Sequence, residues 1–566
     1  MMAKTSEVLN PRVGIRRRFK ELLGVLPYTA ELYWQLRQPG KPITPRFDLH
    51  RLKKHLPEWR SAAMEGTHRQ AGWWDAPKGQ RVLLFGTQRY WIEHVSLLSM
   101  ALAAQGHQVM LAYTPYGEWQ KPLTRFDVRR QNLYALNVLR LAEPVLQIIP
   151  LLDVQKTARG LITPRGLAST LPASLEEAIR INALRDTQYT LETEQVDTDS
   201  ELYRLRLARN REAAQAALNS MKLHRPDTVI VPNGTILEFG AVYQTARFLG
   251  IPVVTYEFGE QRQRIWLAQN GEVMRQNTSE LWKARGEQSL NEAQWEQIRT
   301  LFASRQKASL WNNFSLRWQG VPSEGGEKVR ASLGLDSGDM NRRRPVVLLA
   351  TNVIGDSLTL GRQVFSDNMT EWLERTVKYF TERPDVQFIV RIHPGEMLSK
   401  GASVADVARR VLSATSSTLP EHIHIIPADA KVNSYDIFEI ADLGLVYTTT
   451  AGLEMAMSGV PVIAVGNTHY RGKGFTLDVD SWETYFATLE RVLASPAQFR
   501  LTRSQVDRAW AYAYRFFFEY PLPFPWHLVH FLEDAQTWPL SRVLSGEGEA
   551  SFGQTFRYLA GETVKW

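Results

Sequence analysis

The apolar run Gln387-Phe388-Ile389-Val390-Arg391-Ile392 passes directly into His393-Pro394-Gly395-Glu396. A residue before proline is held in extended backbone, so the His393 imidazole is aimed past the end of the run. There it can donate to a phosphate oxygen or exchange a proton near neutral pH; a histidine that only caps a turn reads the same way. A second run, Leu443-Gly444-Leu445-Val446-Tyr447, meets Thr448-Thr449-Thr450-Ala451-Gly452-Leu453-Glu454. Unpaired amides at a helix start favour an anion. Ordinary N-capping uses one hydroxyl, and three successive Thr with a Gly exceed that need. Glu454 falls in the first turn, placed either to accept two ribose hydroxyls or to complement the helix dipole. A third segment, Gly466 to Thr476, is a polar loop punctuated by glycine. It carries Tyr470, Arg471 and Lys473, and a plain solvated loop is the alternative reading.

These groups need elements that bring them to one edge. From Arg81 the sequence alternates apolar runs with helical stretches: 82–86, then 93–105, then 108–111, and again 228–232, a helix to Leu249, and 252–256. Residues 172–222 read as helical and charged. Residues 320–344, rich in Gly with an Arg-rich end, read as a linker. The alternation restarts with strands expected at 345–350, 386–392, 422–426, 443–447 and 461–465. The fold class is therefore α/β, with two Rossmann-like, doubly wound domains. Ligands bind such sheets beyond the carboxyl ends of the strands. The expected division is a basic extension over 1–80, a first domain over 81–335, a second over 340–500, and an aromatic helical tail over 501–566 that packs back across both.

Composition narrows the function classes. The chain has 566 residues, 44% apolar and 22% charged, a globular mix, and no cysteine. That excludes disulfides, thiolate nucleophiles and Cys-built metal sites. No stretch reaches the roughly 18 apolar residues of a membrane span, and no apolar signal segment follows the N-terminal cations. GxGxxG after a first strand and GxxxxGK[ST] are both missing, which argues against dinucleotide oxidoreductases and P-loop NTPases. The net charge of +8 lies in residues 1–80, with 15 Lys/Arg against 7 Asp/Glu, leaving the remainder neutral. A nucleic-acid partner is not expected from that distribution. Arg12, Arg16, Arg17, Arg18 and Lys20 precede an apolar stretch from Leu22 to Trp34. That pattern suits either a solvated helix packed on the body or peripheral contact with an anionic membrane.

Three blocks together resemble the capsule polysaccharide biosynthesis family. They are His393-Pro394; Thr448 to Glu454 with Ser458-Gly459-Val460-Pro461-Val462; and Tyr470-Arg471-Gly472-Lys473-Gly474-Phe475-Thr476 with Asp478. The likeness covers roughly residues 345–480, and the tail Ala509 to Tyr520 is similar as well. That family consists of bacterial GT-B-type glycosyltransferases, including Kdo transferases. The resemblance implies a nucleotide-sugar donor, CMP-linked in this setting, held by His393, Pro394, Glu396, Thr448, Thr449, Thr450, Gly452 and Glu454. Tyr470, Arg471 and Lys473 would form a donor loop. Many retaining GT-B enzymes place a second Glu eight positions before one like Glu454; here that position is Val446, which favours inverting transfer. Inversion needs a base for the acceptor hydroxyl. The candidates are strand-end residues of the first domain, with Glu257 ahead of Glu260 and Glu238, then His94 beside Glu93, each of which also reads as a cap, a surface charge or a structural partner; His393 also has acid–base capacity. No persuasive Asp-x-Asp loop is present, so neither a metal nor a cofactor is expected. The acceptor would be a glycan or lipid-linked saccharide at the cytoplasmic face of the membrane. The alternatives are a teichoic-acid-type polyol-phosphate transferase and a non-catalytic glycan-assembly scaffold.

Overall fold

The computed structural model describes residues 11–69, 79–152, 170–312, 314, 319–335, 343–399, 401, 403–415 and 419–566. Residues 336–342 of the expected linker, and 1–10 and 70–78 of the N-terminal extension, lie outside these ranges. Among the described residues no helix is long and apolar enough to cross a membrane.

Two sheets organise the chain. The first contains β1 (Arg81–Thr87), β2 (Gln108–Thr114), β3 (Gln147–Pro150), β4 (Thr228–Pro232), β5 (Val253–Glu257) and β6 (Arg264–Gln269). The second contains β7 (Val346–Ala350), β8 (Gln387–Arg391), β9 (Ile423–Ile426), β10 (Leu443–Val446), β11 (Val462–Ala464) and β12 (Leu477–Asp478). A final strand, β13 (Leu522–Pro523), returns to the edge of the first sheet, giving the orders β13-β6-β5-β4-β1-β2-β3 and β12-β11-β10-β7-β8-β9. The second sheet is parallel throughout. The first is parallel from β5 to β3, with β6 and β13 antiparallel at one edge. Two Rossmann-like, parallel-dominated sheets are thus present, as expected.

The central strands are near-continuous apolar runs because helices cover both faces. Val82 to Phe85, Val229 to Val231 and Val346 to Leu349 are buried. Strand order reverses between β1 and β4 in one sheet and between β7 and β10 in the other, which opens a crevice beyond the strands' carboxyl ends.

Part of the segment before β7 packs with the second sheet. Leu281, Ile298, Leu301, Phe302 and Val329 share a core with Val346, Leu348 and Leu453. The tail joins both halves. Tyr512, Phe516 and Phe517 pack in this second core, while Phe524, Trp526, Phe531 and Phe556 pack in the first. The N-terminal residues form helices Pro11–Val25, Thr29–Arg37 and His50–Arg69. Leu52, Leu56 and Trp59 of the third enter the first core.

Candidate active site

A cleft of about 590 Å³ lies between the two halves. From the second sheet it receives Asn352 and Asp356 after β7, His393 and Pro394 after β8, and Thr448 to Ala451 with Glu454 after β10. From the first sheet it receives Glu257, at the last position of β5, and the following residues to Gln261. Phe516, Phe517 and His527 to His530 of the tail close one wall. The imidazole loop and the threonine loop, 55 residues apart in sequence, thus face the same space.

The local structure fixes the His393 ring. Its backbone amide donates to Thr351 Oγ1 at 3.0 Å, and its Nδ1 accepts from the Gly395 amide at 3.0 Å. A neutral imidazole that accepts at Nδ1 carries its hydrogen on Nε2. Burial, with Arg391 adding to it, pushes its pKa down to about 4, so the ring is neutral at physiological pH. Gly395 is required here because a Cβ would stand 2.8 Å from Nδ1.

The threonines divide their tasks. The Thr448 amide donates to Asn352 Oδ1 at 3.2 Å, while its buried hydroxyl has no hydrogen-bond partner among the described residues. Thr449 Oγ1 accepts weakly from the Ala451 amide at 3.4 Å. Thr450 occupies the N-cap position without a side-chain cap bond. The helix that follows, Ala451–Met457, has only seven residues.

Glu257 is the best-placed acid of the first half. Its Oε2 accepts from Asn233 Nδ2 at 2.9 Å and its Oε1 from the Phe258 amide at 3.0 Å. Burial raises its pKa while both donors oppose the rise. Glu260 and Glu454 also line the cleft, but each is held by Arg305. Nη2 donates to Glu260 at 3.0 Å and Nη1 to Glu454 Oε1 at 2.6 Å. Burial alone would lower the Arg305 pKa, yet the two carboxylates hold it above its ordinary value. Burial raises the Glu454 pKa, with Arg305 opposing. Glu454 and Glu260 are thus both ion-pair partners of Arg305, whereas Glu257 is held by two neutral donors.

Several expected site residues have other occupations. Glu238 is buried away from the cleft, 3.3 Å from Arg206, which Asp186 also binds. His94 is enclosed between Tyr256 Oη at 3.2 Å and the Trp526 carbonyl at 3.1 Å, and burial pushes its pKa down to about 3. Glu93 is buried outside the lining, with its pKa raised to about 7 by burial. Glu396 accepts from Ser403 Oγ at 2.6 Å and from the Val404 amide at 3.3 Å, at the start of helix Val404–Thr415. Gly452 gives room to Tyr470, whose hydroxyl would stand 2.3 Å from a Cβ there. That hydroxyl donates to the Thr449 carbonyl at 2.6 Å. Arg471 donates to the carbonyls of Ala464 and Val479. Tyr470, Arg471 and Lys473 do not line the cleft; the first two brace the threonine loop and the ends of neighbouring strands.

No family model and no curated protein matches the chain. Solved structures do. The beta-Kdo 2,4 transferase KpsC of Thermosulfurimonas dismutans is 18% identical over 53% of this chain and 82% of its own, with a TM-score of 0.32. A UDP-GlcNAc 2-epimerase from Neisseria meningitidis is 11% identical over 76% and 97%, with a TM-score of 0.24. The Streptomyces glycosyltransferase SsfS6, complexed with thymidine diphosphate, is 13% identical over 82% and 98%, with a TM-score of 0.20. At these scores the site's own geometry carries the functional reading.

Arg305, Asn352, Asp356 and His527 join the cleft without having been singled out in the sequence. Asn352 stands two residues beyond a strand, the same signal that marked His393, whereas Asp356 lies farther along the loop after β7. Asp356 accepts from Ser357 Oγ at 3.2 Å and the Leu358 amide at 3.1 Å, and burial raises its pKa. His527 bridges the Gly259 carbonyl at 3.1 Å and the Val529 amide at 3.2 Å, so it holds the loop after β5. Arg305 has no local signal, since it is one cation in a charged helix.

Proposed function

We propose that the chain is a glycosyltransferase that moves a sugar from a nucleotide donor, CMP-linked and Kdo-like, to a glycan or lipid-linked acceptor in surface polysaccharide synthesis. The single observation that carries this reading is the cleft that brings Glu257 of the first sheet to the same space as His393 and the Thr448 to Thr450 loop of the second. The CMP-linked donor and the capsule setting rest on the sequence resemblance.

The division of labour follows from the groups. Glu257 accepts the proton of the acceptor hydroxyl, whose oxygen attacks the anomeric carbon from the face opposite the leaving group. The carbon–oxygen bond to the nucleotide breaks, and charge develops on the departing phosphate. His393 donates from Nε2 to that charge, as a preorganised donor in a water-poor site. The aromatic wall from Phe516 and Phe517 limits water, and with it wasteful donor hydrolysis.

A thermal-shift screen against CMP, CDP, UDP and GDP tests the donor class. A specific nucleotide at about 100 times its Kd stabilises the fold by about 2.7 kcal/mol. CMP should give the largest shift. A preference for UDP or GDP would remove the donor assignment, and no shift with any nucleotide would favour the scaffold reading. Incorporation of polyol phosphate into product would favour the polyol-phosphate transferase.

A further inference from the structure

The first two helices present an apolar surface that the fold leaves uncovered. Nine of the 21 large apolar side chains exposed among the described residues fall between Ile15 and Leu36. Ile15, Phe19 and Leu22 are 67, 58 and 60% exposed, and Leu32 and Leu36 are 55 and 77% exposed. Folding normally removes such side chains from water, and a contiguous exposed set marks an interaction surface.

These residues are exposed because another face of each helix is already committed. Lys20 pairs with Asp127 at 2.9 Å, and Arg129 Nη1 donates to the Gly24 carbonyl at 2.9 Å. Gly24 allows the close approach, since a Cβ would meet the Phe126 amide at 2.5 Å. Arg129 also pairs with Glu31 of the second helix, and Tyr33 meets Phe126 edge-on at 5.5 Å. Both helices are therefore fixed against helix Arg125–Leu139. At about 100° per residue, Ile15, Phe19 and Leu22 lie within an arc of about 60° turned away from Lys20 and Gly24. Arg18 follows about 40° beyond one side of that arc and Arg16 about 60° beyond the other. Arg16, Arg17 and Arg18 are all exposed.

We infer that helices Pro11–Val25 and Thr29–Arg37 dock the protein on the surface of an anionic lipid bilayer. The apolar stripe enters the headgroup–acyl boundary and the flanking arginines meet the lipid charges. Charge decides for a bilayer over a second copy of this chain. An isologous contact would double the positive charge carried by Arg16 and Arg18 at the interface, whereas anionic headgroups neutralise it. The surface stands apart from the donor cleft, so either assignment can fail alone.

Co-sedimentation of the full chain with vesicles of phosphatidylglycerol and phosphatidylethanolamine tests the inference, with phosphatidylcholine vesicles as control. The wild type should bind the anionic vesicles at least tenfold more tightly than the neutral ones. Replacing Arg16 and Arg18 together by alanine should weaken that binding by about 30-fold, from the attraction of each cation to the leaflet. Phe19→Ser with Leu22→Ser should abolish it, and either variant, melting with the wild type, decides the question. Wild-type protein left in the supernatant, equal binding to neutral vesicles, or undiminished binding by the variants would overturn it. So would light scattering that shows a dimer dissociated by the Phe19 and Leu22 changes, which would make the surface a contact between copies.

Discussion

Glu257 holds two hydrogen-bond donors that favour its ionised form, against a burial cost that favours the neutral one. As the proposed base it would work ionised, so kcat/KM should fall as pH drops through its raised pKa. The acid limb of the pH–rate profile is expected above the ordinary carboxylate range, and Glu257→Gln should lower kcat by about 10²- to 10⁴-fold with the donor KM little changed. His94 makes the opposite case, a titratable group spent on packing. The unfolded chain protonates it near 6.5 and the folded chain only near 3. Its stabilising contribution is complete above pH 6.5 and is lost as pH falls toward 3. Melting temperatures measured between neutral and acid pH should decline below 6.5, and His94→Gln should flatten that decline.

Helix Glu292–Gln306 shows how one element ties the halves together. Its Arg305 reaches Glu260 from the loop after β5 and Glu454 beyond β10, with Phe517 of the tail 4.9 Å beneath the guanidinium. Removing one partner of a buried ion pair strands the others, at about 3–5 kcal/mol. Arg305→Met should destabilise the protein by that order in denaturant titration, and Glu260→Gln combined with Glu454→Gln should recover part of the loss. Strand ends were legible because an apolar run stopping at His393, Thr448 or Glu257 is a local pattern. The Arg305 bridge was not, since it depends on three segments separated by 45 and 149 residues. For the same reason Glu238 and His94 looked like site residues: both follow a strand, but the burial that silences them is set by Arg206 in one case and by Trp526 in the other. Tyr470 and Arg471 sit on the expected loop, yet their polar atoms turn to backbone carbonyls.

Across the whole molecule, the tail is a structural part of both halves. Trp526 is fully buried in the first core and donates from Nε1 to the Trp538 carbonyl at 2.8 Å. Trp526→Ala should cost about 3–5 kcal/mol, and ending the chain before β13 should prevent stable folding of the first sheet, observed as lost near-UV circular dichroism. The tail also supplies Phe516 and Phe517 to the cleft wall, so the same crossing that joins the domains shapes the site between them. The central claim is that this cleft grips the phosphate of a nucleotide through His393. Calorimetric titration of CMP into wild type, His393→Ala and Glu257→Gln tests it most directly. One molecule should bind per chain, at least about tenfold more weakly to His393→Ala and with unchanged affinity to Glu257→Gln. Equal affinity for wild type and His393→Ala, or no binding of CMP, UDP or GDP to the wild type, would contradict it.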